Sequence, residues 1–146
     1  MSGALYYDYQ PVDALIAYVI ALTGQSESKL ASIGRTQLMK LVYLADLTYA
    51  QTNDGRTYSG VRWRFLHFGP FAAEVQERIE PVAQRIGARR CEWSREEADE
   101  EESHIRWSGN GVTLADGLKP PVIVQMVIER AIRDHGGDTH DLLHRV

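Results

Sequence analysis

Residues 36–51 run TQLMKLVYLADLTYAQ, from Thr36 to Gln51, and this stretch decides the fold. Apolar side chains occupy nearly every side of it as a helix, through Leu38, Met39, Leu41, Val42, Leu44, Ala45, Leu47 and Tyr49. A helix apolar all round needs other elements on all its sides, so the segment reads as the central helix of a helical bundle. Thr36 is placed to cap its start. Asn53, Asp54 and Gly55 follow as a turn signal. At about 100° per residue the one mainly polar side centres on Lys40 and takes in Gln37, Thr48 and Gln51. Tyr43, Leu44 and Leu47 fall on that same side. A polar side holding three large apolar residues suggests a contact surface, and its competitor is burial beneath another helix of the same domain. Lys40 itself is expected to snorkel or to pair with an acid such as Asp13 or Glu74.

The flanking segments supply the partners of this helix. Val12, Leu15, Ile16, Val19 and Leu22 recur at helical spacing as one buried stripe, and Gly24 supplies a stop. Val61 to Phe68 (VRWRFLHF) is aromatic, β-favouring and too short for a stable helix, so it reads as extended. Gly69 and Pro70 are expected to shape the turn from that segment into a third helix over about 71–86, which Gly87 ends. Arg89 to Trp93 and His104 to Trp107 are expected to pair as a small β hairpin over about 89–107, and Asn110-Gly111 marks a turn. Val122 to Ile132 is rich in β-branched residues, yet Pro120-Pro121 before it and Gly136-Gly137 after it favour a helix. Asp141 to Val146 reads as a last short helix, and its abrupt apolar end reads as a truncation. The fold class is therefore mainly α: one helical domain over residues 1–146 with a small β element.

Composition supports that class and excludes others. The chain has 146 residues, 44% apolar and 25% charged, which suits one unaided globular domain. The start lacks the basic and apolar regions of a secretory signal, no apolar run approaches membrane-spanning length, and Cys91 is the single cysteine. Together these give the expectation of a cytoplasmic protein, with Cys91 as a structural residue rather than a reactive one. Six of the twenty acids lie in 96–102, leaving sixteen bases against fourteen acids, or +2, for the remainder. This run reads as a mobile, solvated tip of the hairpin.

No phosphate loop, nucleophile elbow or zinc-helix motif is present, and no catalysis is expected. His140 and His144 stand four apart, but too few ligands stand near them in sequence to expect a metal or any other cofactor. From Arg56 to Arg95 there are eight arginines against four glutamates, interleaved with Trp63, Phe65, Phe68 and Trp93. That mixture suits nucleic acid. The adjoining acid run raises the cost of approaching a polyanion, so nucleic acid is the lesser expectation.

Lys40 to Ala45 (KLVYLA) and, some twenty residues on, Phe65 to Pro70 (FLHFGP) resemble the two signature blocks of the Panacea domain, whose best-known members are SocA-like antitoxins. The resemblance spans most of the chain. It departs at the C-terminus, where family members continue and this chain stops at Val146. It implies a helical core with a small β element, and an antitoxin that neutralises a cognate small toxin protein by direct binding. Two alternatives go with it: a nucleic-acid-binding regulator of its own operon, and a proteolytic adaptor with a protease chaperone as partner. The residues expected to meet the partner are Lys40, Tyr43, Leu44 and Leu47 on the helix, and Arg62, Trp63, Arg64 and His67 after it. Tyr, Trp and Arg are the types most enriched in interface hot spots. Trp63 carries two readings, an anchor in a pocket of the partner or a core aromatic lying across the helix.

Overall fold

The computed structural model describes residues 10–25, 31–92 and 105–135. Four helices dominate: α1 (Gln10–Leu22), α2 (Arg35–Gln51), α3 (Ala73–Ile86) and α4 (Val122–His135). The strands are β1 (Ile33–Gly34), β2 (Arg64–Leu66), β3 (Gly69–Phe71), β4 (Arg89–Glu92) and β5 (Ile105–Ser108), and a short 3-10 turn covers Asp116–Leu118. The fold is mainly α, as the periodicity predicts. The acid run, Trp93, His104, the histidine pair and the last short helix lie outside the described residues.

α1 is buried at every position from Val12 to Ile20, on all sides rather than along one stripe. The reason is composition: within PVDALIAYVIAL only Asp13 is charged, and small Ala14 and Ala17 let neighbours approach closely. α3 packs on α1, and α4 packs chiefly on α2. α2 buries Leu38, Met39, Leu41, Val42, Ala45 and Asp46, while Tyr43, Leu44, Leu47 and Tyr49 are half-buried. It starts one residue earlier than the sequence suggests, capped by the extended backbone of Gly34 with no side-chain bond, so Thr36 lies inside the helix. The Asn53-Asp54-Gly55 turn follows, with Asp54 and Gly55 both at positive φ.

Polar bonds tie the helices together. Asp13, buried on α1, accepts both Nε (2.8 Å) and Nη2 (2.9 Å) of Arg78 on α3, with Arg85 at 3.8 Å. Both oxygens of Asp13, one of the two acids offered for Lys40, are thus engaged by α3. The Tyr18 hydroxyl donates to Glu129, linking α1 to α4, and burial followed by that bond raises the phenol well above its usual range.

The expected hairpin is present in its described part: β4 and β5 pair antiparallel, Arg89 opposite Ser108 and Glu92 opposite Ile105. β1 adds a third strand on the other side of β5, which the polar link before α2 conceals in sequence. Cys91 is exposed on β4. The larger correction concerns Gly69-Pro70. They form the second strand of a hairpin, β3, paired to β2 with Leu66 opposite Gly69, Phe65 opposite Pro70 and Arg64 opposite Phe71. Gly69 at φ 122 lets the chain reverse so tightly that the extended segment returns on itself before α3 begins at Ala73.

Candidate partner-binding surface

α2 and the β2–β3 ribbon are joined by a buried carboxylate. Asp46 is fully buried on α2. It accepts the backbone N–H of Ser59 at 3.0 Å, the Ser59 hydroxyl, and the indole Nε1–H of Trp63 at 2.9 Å. Burial raises its carboxyl above the ordinary 3.8, and the bonds from Ser59, Trp63 and the Tyr58 backbone pull in the opposite direction. The chain from Tyr58 to Trp63 is pinned to α2 by this one side chain.

Above that pin lie three aromatic rings. Tyr43 meets Trp63 edge-on at 5.2 Å between centroids and Phe65 edge-on at 5.3 Å. Trp63 is half-buried and packs against the core, whereas Phe65 is 65% exposed and Leu66 beside it 42%. The rings therefore rise from a fixed, hydrogen-bonded inner member to an outer one in solvent. Alternation along the strand explains the pair: Trp63 and Phe65 share a side two residues apart.

Of the expected contact residues, Tyr43 and Trp63 touch directly, and Arg62, Arg64 and His67 are exposed on or beside the same ribbon. Lys40 and Leu47 are half-buried on α2, and Leu44 packs against the core. Phe65 and Leu66 are the residues that the expected contact set left out; the signal that could have found Phe65 is the period-two alternation of the extended segment, which sets it on the same side as Trp63. Asp46 was also missed, though an acid inside an apolar helix was visible.

The arginine cluster is less uniform in space than in sequence. Arg78 and Arg85 face Asp13, and Arg90 pairs with Glu80 and Glu92. No ion pair among the described residues involves Arg62 or Arg64. A second exposed apolar patch, Val122, Ile123 and Met126, lies on the first turns of α4. Among the described residues no group of His, Cys, Asp and Glu is arranged to hold a metal ion, and no helix is long and apolar enough to cross a membrane.

Compared with protein-family models, curated proteins and solved structures, the chain matches none.

Proposed function

We propose that this chain is an antitoxin of the SocA-like, Panacea-domain kind, which neutralises a cognate small toxin protein by direct binding in the cytoplasm and performs no catalysis. In this reading α2 is the organising helix of the bundle. Its inner side belongs to the core, and its outer side, with the ribbon it carries, meets the toxin through Lys40, Tyr43, Leu44, Leu47, Arg62, Trp63, Arg64 and His67. The observation that carries the reading is Phe65, a large ring held 65% in solvent by a rigid support of Tyr43 and Trp63. An apolar side chain kept exposed on a rigid base, beside Arg62 and Arg64, which form no ion pair among the described residues, has the anatomy of an interface anchor.

The test is co-expression. A small protein encoded beside this chain should arrest growth alone, be tolerated with the wild-type chain, and co-purify with it. A tolerated toxin that never co-purifies, or DNA retention that weakens steeply with salt, would replace this reading with the operon-regulator one.

A further inference from the structure

The β2–β3 ribbon has one inner strand and one outer strand. β3 lies against α2, with Pro70 buried, while all three residues of β2 are exposed. The partner of Phe65 across the ribbon is Pro70, which has no N–H to give. Phe65 and Pro70 are therefore a non-hydrogen-bonded pair, and the ladder bonds belong to the flanking pairs Arg64–Phe71 and Leu66–Gly69. It follows that the backbone N–H and C=O of Phe65 point away from β3, toward the open edge. A strand edge carrying a donor and an acceptor side by side is matched by another peptide strand, not by a phosphate backbone, which offers acceptors alone.

The charge around this edge specifies the chemistry of the visiting strand. Between Gly55 and Ala73 the sequence contains Arg56, Arg62, Arg64 and His67 and no acid. Arg64 lies on β2 itself, Arg62 is two residues before it, and neither is in an ion pair among the described residues. Alternation puts Phe65 on the Tyr43 side and Arg64 with Leu66 on the other, so a strand laid along the edge finds one apolar and one mixed basic-apolar side.

We infer that the open edge of β2 receives an extended, acid-bearing segment of the partner protein as an added strand, bonded to the Phe65 backbone, anchored on the Phe65 ring and neutralised by Arg62 and Arg64. This rests on the partner-binding reading above and states how that surface is read.

The experiment uses a phage-displayed library of linear random nonapeptides, selected on the full chain. Selected peptides should be rich in Asp and Glu alternating with apolar residues. Phe65→Leu retains the outward N–H but loses the anchoring ring, so it serves as the reference that separates the ring from the backbone bond. Phe65→Pro, placed where the fold makes no ladder bond, should weaken them by about a further tenfold relative to Phe65→Leu, the worth of the one backbone hydrogen bond that its missing N–H would donate. Methylating alternate backbone nitrogens of the best peptide leaves the protein untouched and should abolish binding in one of the two registers. Arg62→Glu with Arg64→Glu should reverse the preference toward basic peptides. Peptides that bind Phe65→Pro as well as Phe65→Leu and tolerate methylation in both registers, yet are lost in Tyr43→Ala, would overturn the added strand and leave the partner surface standing. Failure to select any linear peptide, with a labelled single-stranded DNA retained through Arg62 and Arg64, would overturn both.

Discussion

The indole Nε1–H of Trp63 donates to Oδ2 of Asp46 at 2.9 Å, across 17 positions of chain, and so fixes the outer ribbon to the inner helix. This bond gives Trp63 a structural duty as well as a place beneath Phe65. Truncation should expose the difference between them.

Trp63→Ala removes a half-buried ring and leaves a buried carboxylate short of one donor, so the fold should lose about 2–4 kcal/mol in urea denaturation. Trp63→Phe keeps most of the packing against Tyr43 and loses the donor alone, for about 1–3 kcal/mol. Equal losses in the two variants would place the value of Trp63 in the bond; a negligible loss in Trp63→Phe would place it in the ring.

Asp46 predicts a pH dependence of definite sign. Burial holds its folded-state pKa above 3.8, so the folded chain retains the proton more firmly than the unfolded one. The stability this confers is complete below pH 3.8 and is lost as pH rises through the folded-state value. Asp46→Asn lacks that titration. Wild type should therefore lose stability relative to Asp46→Asn as pH is raised across this window, read from paired urea melts. A gap that moves the other way would mean that the bonds from Ser59, Trp63 and Tyr58 outweigh burial.

The sequence made the helices legible because their apolar spacing is regular, and α4 could be separated from a strand by the prolines before it. The β4–β5 pair was legible because its two segments flank the acid run as the arms of a hairpin. The ribbon was only half legible. Val61 to Phe68 announced an extended segment, but Gly69-Pro70 reads as a stop in sequence and becomes a strand because an edge position asks no N–H of proline. The full burial of α1 was hidden for a different reason. A stripe of large residues is what periodicity detects, and the small residues that admit neighbours on the remaining sides, Ala14 and Ala17, carry little weight in it. Tyr43 and Trp63 of the candidate surface were legible by residue type, while Phe65, 65% exposed, depended on knowing which side of the strand faced out.

The Asp13–Arg78 pair should behave as a buried unit. Arg78→Leu leaves a carboxylate at the α1–α3 contact with Arg85 only at 3.8 Å, and should cost about 3–5 kcal/mol. Asp13→Leu with Arg78→Leu replaces charge by apolar volume and should cost clearly less than Arg78→Leu alone. A double-mutant cycle by thermal or urea denaturation measures the coupling, and additive losses would show that each residue acts through packing by itself.

Gly109 offers the sharpest steric test, because it lies against the end of α1 rather than in open space. Its N–H donates to Thr23 Oγ1 at 3.0 Å and its carbonyl accepts Gln25 Nε2 at 2.9 Å, which stitches the chain after β5 to the residues that directly follow α1. A Cβ at this position would stand 2.2 Å from the Ile20 carbonyl oxygen and 2.6 Å from Ala21 Cα. Both are backbone atoms of a buried helix and have no rotamer by which to yield. Gly109→Ala must then push the strand end off α1 and break both bonds, for a loss of about 3 kcal/mol or more. Gly111, two residues on, is the matched control: it sits at φ +84 with nothing near its missing Cβ, so Gly111→Ala pays only backbone strain of about 1–2 kcal/mol. Urea denaturation of the two variants should rank Gly109→Ala as the more damaging. Equal losses would show that the chain can lift from α1 at little cost, and that the bonds to Thr23 and Gln25 do not hold it there.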